Sequence, residues 1–419
     1  MDMRRRGLLL AGAGAAASAA APAAGPAAWA GVPAFTGPAE DAAAGRGATP
    51  APPGGAEELD NPHYPDHRAW VNRQIRIIRR MPHTVTPLLE LPLSGRLAGL
   101  RLLLKDETVQ PSGSHKHRLV EALYLHALAT GRLHRGSTVV EASSGTTAIS
   151  EAWFSRELGI PFVAVVPSGT TGAKVRLIRN LGGEVVEVPG ADISAEARRV
   201  AAELGGHFMD QFTYAEQAYD WRGERSLAGE VLRDADPEWF VMGAGTGGTV
   251  VSLARHARYT GHRVRTCVTD PEGSAYFPGW RADDRSVTAP GSRIEGIGRP
   301  RVEASFLFPL VNRMLRVPDG ASVAAMRVAA RRLGGTLPGP STGTALFGAM
   351  RLLDRMRQDG GTGTVVTLIA DPGERHLETF YDDDWLREHG IDHRPWVPVI
   401  ERFLDAGRWF PPRGHTAAR

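Results

Sequence analysis

The segment PSGSHKHR (Pro111–Arg118) stands between a short apolar run, Leu102–Leu104, and a helical pattern over Leu119–Leu128. Its proline, glycine and serines are typical of a turn that ends at a helix start. Lys116 is therefore predicted in the first helical turn, where backbone N–H groups lower the cost of a neutral amine. A neutral lysine can form a Schiff base with an aldehyde. The alternative is a solvated surface charge, which is the common state of lysine.

Strand-like and helical patterns alternate along the chain on both sides of this segment. Each predicted strand is a continuous apolar run, which is typical of a parallel sheet with helices on both faces. The predicted fold class is α/β, with two domains that each carry a parallel twisted sheet flanked by helices. A site is expected in the cleft between the domains. The predicted strands cover residues 137–142, 161–167, 184–188, 239–242, 264–268 and 364–369.

The N-terminus resembles an export signal. Arg4–Arg6 precede an apolar stretch rich in alanine and glycine, and Ala28-Trp29-Ala30 offers a small-x-small cleavage site. Paired arginines before such a stretch are typical of the twin-arginine route. We expect export to the cell envelope or the medium without a stable membrane span. The alternative is a cytoplasmic protein whose start codon has been placed too early.

The predicted organisation follows from these patterns and from shifts in composition. A smaller N-terminal α/β domain carries the lysine segment, and a larger α/β domain is assembled from two separate segments. A linker rich in proline, glycine and alanine joins them to the leader. The predicted parts are the leader (1–30), the linker (31–58), the smaller domain (110–220), the larger domain (59–109 plus 221–395) and a C-terminal tail (396–419).

Composition excludes several classes of protein. Of the 419 residues, 42% are hydrophobic and 23% charged, as expected for a chain with a real core. The net charge of +3 and the absence of a nucleic-acid motif give no reason to expect a polyanion partner. The single cysteine, Cys267, excludes an internal disulfide framework and a multi-cysteine metal site. It lies in an apolar run, so we expect it to be buried.

A glycine-rich loop, Gly243–Gly248, follows a predicted strand and opens a predicted helix. Its GxGxxG spacing matches a dinucleotide fingerprint, and Asp270 ends the next predicted strand, where a ribose-binding acid could lie. An NAD(P)-dependent dehydrogenase is therefore one interpretation. The hydroxyls of Thr246 and Thr249 favour a compact terminal phosphate instead. A plain strand–helix turn is the third alternative.

Two further loops carry small hydroxyl residues at strand or helix ends. Ser143–Thr147 could hold a carboxylate through its N–H groups and hydroxyls. Ser341–Gly343 offers another hydroxyl at the start of a predicted helix. Together with Lys116 and the glycine-rich loop, these features suit a cofactor that carries an aldehyde and a phosphate and acts on an amino acid.

Taken together, these motifs resemble the fold type II pyridoxal-phosphate enzymes, the tryptophan synthase β-like family of cysteine synthase and cystathionine β-synthase. The resemblance covers about residues 86–379. It implies pyridoxal 5′-phosphate as cofactor, Lys116 as the catalytic Schiff-base lysine, a small amino-acid substrate and a homodimer. The implied cofactor-binding residues are Lys116, Thr146, Gly245, Thr246, Gly247, Gly248, Thr249 and Ser341. The implied substrate-binding residues are Ser143, Ser144, Gly145, Thr147, Gln211 and Gly296.

Within that family, three stretches resemble the L-cysteine desulfhydrase branch: Glu141–Gly145, Asp220–Gly223 and Arg293–Arg301. This resemblance implies β-elimination of L-cysteine to sulfide, pyruvate and ammonia. Cysteine synthase or a related β-replacement enzyme, using O-acetylserine and sulfide, is the alternative. The chain departs from the family at Thr146, where asparagine is usual, and at His117, where aspartate is frequent. We expect His117 to face outward from its helix.

Overall fold

Two sheets organise the chain in the computed structural model, which describes residues 67–189 and 193–412. The predicted leader and linker lie outside these residues. The strands are β1 (Leu88–Glu90), β2 (Leu100–Asp106), β3 (Val139–Ala142), β4 (Phe162–Pro167), β5 (Glu184–Val188), β6 (His207–Phe208), β7 (Trp239–Gly243), β8 (Arg265–Pro271), β9 (Arg313–Val317) and β10 (Gly363–Ile369).

Helices connect and cover these strands. Short 3₁₀ turns supplement them at four places in the described part of the chain. The helices are α1 (Arg68–Arg80), α2 (Lys116–Ala129), α3 (Thr146–Leu158), α4 (Gly172–Asn180), α5 (Ile193–Glu203), α6 (Gln211–Ala218), α7 (Leu227–Ala235), α8 (Gly248–Thr260), α9 (Tyr276–Ala282), α10 (Asp319–Arg332), α11 (Pro340–Gln358), α12 (Asp383–Glu388) and α13 (Val397–Ala406).

The smaller sheet has the order β5-β4-β3-β6, and every pairing in it is parallel. The larger sheet has the order β1-β2-β10-β7-β8-β9 and is parallel except for β1, which runs antiparallel to β2. Parallel strands need crossover connections, and helices supply them here. The predicted α/β class with helix-flanked parallel sheets is confirmed.

The central strands are apolar because helices cover both of their faces. Every residue of β3 and β7 is buried. On the larger sheet, α11 packs Leu346, Met350 and Leu353 against the core that contains Val241 and Val365. Cys267 belongs to the same core and is buried, as expected from its apolar surroundings. Burial raises the pKa of its thiol to about 12.

The ends of the described chain pack onto the two cores. Helix α1 buries Ile78 in the core of the smaller sheet, alongside Leu123 and Tyr124 of α2. This differs from the predicted organisation, which places residues 59–109 with the larger sheet. Helix α13 buries Ile400 and Phe403 in the larger core, so much of the predicted tail contributes to that core. Among the described helices, none is both long and apolar enough to cross a membrane.

Candidate active site

Lys116 is the first residue of α2, at the end of the loop that leaves β2. The preceding residue, His115, donates its backbone N–H to the carbonyl of Ala370 at 2.9 Å, which ties this loop to the end of β10. Lys116 is only 6% exposed. Its amine has no hydrogen bond or ion pair with any described residue. Burial lowers its pKa to about 8, so the neutral, nucleophilic amine is accessible near neutral pH.

The amine lies on a cleft whose space free of protein atoms, together with the open solvent at its mouth, is about 850 Å³. Both sheets contribute to its walls through the loops at the carboxyl ends of their strands, the usual place for ligands in open α/β sheets. Most of the predicted site residues meet here. Those that line the cleft are Lys116, Gly145, Thr146, Gly245, Thr246, Gly247, Thr249, Gly296 and Ser341. Ser143, Ser144, Thr147, Gln211 and Gly248 are not among the lining residues.

The glycine-rich loop after β7 forms an anion cradle beside Lys116. Gly247, with φ of +85°, is the N-cap residue of α8 and has no side chain to cap the helix. The Gly248 N–H donates to Thr246 Oγ1 at 3.2 Å, and the next N–H groups of the first turn have no partner within the helix and can bind an anion. A Cβ on Gly245 would lie 2.4 Å from the carbonyl oxygen of Gly296 and 3.9 Å from Lys116 Nζ. Only a glycine admits such close approach. A lysine amine next to a phosphate cradle fits a cofactor with an aldehyde and a phosphate.

Hydrogen bonds to buried residues hold the loop after β3 in place. Thr147 Oγ1 donates to Gln211 Oε1 at 2.8 Å, and Gln211 N–H donates to Glu141 Oε2 at 3.2 Å. Burial raises the pKa of Glu141 to about 7. Thr147 and Gln211 are themselves buried. They hold the loop in place, while Gly145 and Thr146 present its face to the cleft.

Helix α11 brings the third predicted loop to the cleft. It begins at Pro340, with Gly339 as its extended cap residue and no side-chain cap. Ser341 lies in its first turn and lines the cleft. Thr342 Oγ1 accepts a hydrogen bond from the Ala370 N–H at 3.1 Å. That bond joins α11 to the same end of β10 that anchors the lysine loop.

The prediction that His117 faces outward from its helix is wrong. It is 7% exposed, its Nδ1 lies 3.1 Å from Ser112 Oγ, and its ring packs against the rings of Trp153 and Phe154. Helix α3 covers this side of α2, so the His117 side chain lies in the contact between these two helices. Burial lowers the pKa of His117 to about 4, so the ring is neutral at ordinary pH.

Asp270 does not serve the ribose-binding role that the dinucleotide interpretation required. It is fully buried, and its Oδ2 accepts a hydrogen bond from the Phe277 N–H at 2.7 Å. It is not a lining residue of the cleft. Burial raises the pKa of its carboxyl to about 6. Asp270 therefore lies near the end of β8 and its carboxylate binds an N–H group in the first turn of α9.

Sequence reasoning missed a group of charged residues in the cleft wall. They come from loops, from α4 and from a 3₁₀ turn at Gly373–His376, and most of them are separated from the predicted motifs in sequence. The signal that could have found several of them is their position just after the carboxyl end of a strand. The residues are His115, Lys174, Glu295, Asp371, Arg375 and His376.

Comparison with known proteins decides the family. A family model described as pyridoxal-phosphate dependent enzyme matches residues 80–371 of this chain. The chain belongs to that family. Pyridoxal phosphate is therefore its cofactor. Lys116 and the cradle of Gly245–Thr249 fit this cofactor, because the amine would bind the aldehyde and the N–H groups would bind the phosphate. The predicted family is confirmed, and the dehydrogenase interpretation is wrong.

Similar proteins share most of the length of this pyridoxal-phosphate dependent enzyme. The L-cysteine desulfhydrase Cds1 of Mycobacterium tuberculosis is 46% identical, over 82% of this chain and 96% of that protein. The cysteine synthase 2 of Schizosaccharomyces pombe is 27% identical, over 77% of this chain and 87% of its own. The crystal structure of an O-ureido-L-serine synthase superposes with a TM-score of 0.63 at 27% identity, covering 74% of this chain and 98% of that one.

Proposed function

We propose that this pyridoxal-phosphate dependent enzyme is an L-cysteine desulfhydrase, which eliminates the β-substituent of L-cysteine and releases sulfide, pyruvate and ammonia. The observation that carries the proposal is the 46% identity to the L-cysteine desulfhydrase Cds1 over nearly all of that protein. Elimination of this kind needs a base at Cα, a carboxylate site and an electron sink. The cleft has side chains suited to the first two roles.

Different residues of the cleft have different roles in the elimination. Lys116, with a pKa lowered by burial, takes the proton from the substrate Cα and holds it. The loop Ser143–Thr147 binds the substrate carboxylate through its N–H groups and hydroxyls. Ser341 presents a neutral hydroxyl, and not a carboxylate, from α11. The bound cofactor supplies the electron sink for the carbanion.

The test follows sulfide and pyruvate together in the purified holoenzyme with L-cysteine as sole substrate. We expect equal amounts of both products. A Lys116→Ala variant should produce neither, because it lacks the base and the amine that binds the cofactor aldehyde. Wild-type protein that forms no sulfide from L-cysteine would contradict the proposal.

A second candidate is β-replacement, favoured by the similarity to proteins named cysteine synthase. Elimination and replacement share the removal of the α-proton and the loss of the β-substituent. The same assay separates them. Turnover that appears only when O-acetylserine is supplied with sulfide would make synthase the better assignment.

We also propose export by the twin-arginine route. Arg4–Arg6 and the apolar stretch behind them support it. The test expresses the full chain with a C-terminal tag, beside a variant with all three arginines replaced by lysine. We expect the tag outside the cytoplasm for the first and inside for the second. Equal retention of both in the cytoplasm would contradict export.

We further propose that the enzyme is a homodimer, as its family resemblance implies. Light scattering on the purified holoenzyme measures the mass directly. A mass near twice the 45.0 kDa of the full chain, less any removed leader, is expected. The monomer mass at micromolar concentration would contradict the assignment.

A further inference from the structure

His376 stands in the cleft wall with one ring nitrogen bound and the other without a hydrogen bond. Its Nε2 lies 2.8 Å from Asp371 Oδ2. Its Nδ1 is buried and has no hydrogen-bond partner among the described residues. Buried polar atoms nearly always have a partner, and an exception at a reactive site points to a role in that site. The ring is 4% exposed and lines the same cleft as Lys116.

The surroundings of the ring fix which nitrogen can exchange a proton. Asp371 is buried, and although burial alone would raise its pKa, the charges of His376 and Arg375 lower it below the ordinary value. A carboxylate at Nε2 keeps the proton on that nitrogen. Phe380 packs edge-on to the ring at 5.9 Å between centroids. Glu295 Oε2 lies 3.6 Å from Nδ1.

Elimination from cysteine needs a proton at a second place besides Cα. When the Cβ–S bond breaks, its electron pair goes to sulfur, and the departing group is stabilised by protonation. Lys116 is already committed to the Cα proton. A different acid near the substituent therefore accelerates its departure as hydrogen sulfide.

The other titratable residues that line the cleft in the described chain are poor proton donors. Burial, and then the nearby Lys116, lower the pKa of His115 to about 3, so its ring holds no extra proton to give. The Lys174 amine and the Glu295 carboxylate are paired with each other at 2.6 Å, and the Asp371 carboxylate lies 2.8 Å from His376 Nε2. Arg375 keeps its proton at ordinary pH. His376 is the remaining candidate.

We propose that His376, oriented by Asp371, is the acid that protonates the departing β-substituent; this inference rests on the proposed function. The ring starts doubly protonated; as the Cβ–S bond breaks, sulfur takes the bonding electron pair and the proton from Nδ1 and leaves as hydrogen sulfide. The ring is left neutral with its proton on Nε2. Glu295, whose side chain is 32% exposed, offers a path by which Nδ1 regains a proton from solvent.

The decisive experiment compares two substrates in a His376→Gln holoenzyme, because glutamine keeps an amide for Asp371 but has no titratable nitrogen. Chloride leaves β-chloro-L-alanine without protonation, whereas sulfur leaves L-cysteine with it. We expect pyruvate formation from L-cysteine to fall by about 100-fold or more, and that from β-chloro-L-alanine to stay within about threefold. The matched control is His389→Gln, at an exposed histidine on the C-cap of α12.

Three results would overturn the inference. Equal losses on both substrates would mean that His376 has only a structural role. Full activity of the variant on L-cysteine would mean that another group donates the proton. A wild-type enzyme that eliminates chloride but releases no sulfide from L-cysteine would overturn the proposed function itself, and the inference with it.

A second readout does not depend on turnover. In holoenzyme labelled with ¹⁵N-histidine, the signals lost in His376→Gln identify the ring. The neutral ring should carry its proton on Nε2 and leave Nδ1 unprotonated, as the Asp371 contact requires. A neutral ring with its proton on Nδ1 would contradict the proposed orientation.

Discussion

Lys174 Nζ on α4 lies 2.6 Å from Oε2 of Glu295, in the loop between α9 and β9. Helix α4 belongs to the smaller sheet, and the Glu295 loop belongs to the larger one. Both residues line the cleft. This ion pair therefore joins the two walls of the active site at a point where the cleft meets solvent.

Replacing Lys174 by methionine should weaken the binding of the substrate and change the free energy of unfolding only slightly. A partly exposed ion pair contributes about 0.2 to 1 kcal/mol, so KM for L-cysteine should rise by about 1.5-fold to fivefold. The measurement is steady-state kinetics beside urea unfolding. Arg331→Met, which removes an exposed pair with Glu401 on α13, is the control and should leave KM unchanged. An unchanged KM in Lys174→Met would show that the pair does not hold the cleft.

Arg118 lies two residues after Lys116 in α2 and forms ion pairs with two buried carboxylates. Its guanidinium lies 2.8 Å from Glu107 Oε2 and 2.7 Å from Glu230 Oε1, with all three side chains at most 8% exposed. Arg118→Met should reduce the free energy of unfolding by about 3 to 5 kcal/mol, because it leaves the buried Glu107 without a charged partner, whereas Glu230 keeps its ion pair with Lys105 at 2.7 Å. Urea unfolding measures this. Arg101→Met, which breaks an exposed pair with Glu90, should change stability little.

The same cluster predicts how stability depends on pH. Burial alone would raise the pKa of Glu230, but hydrogen bonds and charges from Arg118 and Lys105 outweigh it and hold the pKa at about 2. Since the folded-state pKa lies below the ordinary 4.5, the stabilisation is present above pH 4.5 and is lost as pH falls towards 2. Arg118→Met should lose less stability than wild type over that interval. Parallel acid-unfolding curves for the two proteins would contradict this.

The parts of the fold that the sequence predicted are those with a local signal. The strand over Glu184–Val188 was predicted with its observed bounds, and most others within a few residues. Helix α9 was not predicted, because this seven-residue helix is rich in aromatic residues and interrupted by proline and glycine. Strand β9 was also missed, because Arg313 and Arg316 interrupt its apolar residues. Such edge strands carry weak periodicity.

The site was predictable only where one short segment carries the chemistry. Lys116 and the Gly245–Thr249 loop could be named because a turn, a helix start and the residue type coincide in a few positions. His376 and Glu295 could not, since they meet across 81 residues of sequence through tertiary packing. Likewise His117 was expected to face outward, because the sequence does not reveal that α3 covers that side of α2.

Gly245→Ala should weaken the binding of the cofactor. The new methyl group would lie 2.4 Å from the Gly296 carbonyl oxygen, so one of the two loops must shift. Strain of this kind costs about 1 to 3 kcal/mol, and the dissociation constant of pyridoxal phosphate should rise by about fivefold or more. Titration of the cofactor into apoprotein measures it. Gly95→Ala, at a glycine with open space around its Cβ position, is the control. Equal affinity in Gly245→Ala and wild type would show that the loop adapts freely.

The uptake of cofactor by the apoprotein should depend on pH through Lys116. Burial lowers the pKa of this amine from 10.5 to about 8, and only the neutral amine attacks an aldehyde. The rate of uptake should therefore rise as pH increases and reach half its plateau near pH 8. Stopped-flow absorbance follows the band of the bound cofactor, and Lys116→Ala should form no such band. A midpoint near 10.5 would mean that the amine is solvated in the apoprotein, and that burial does not prepare Lys116 for its reaction.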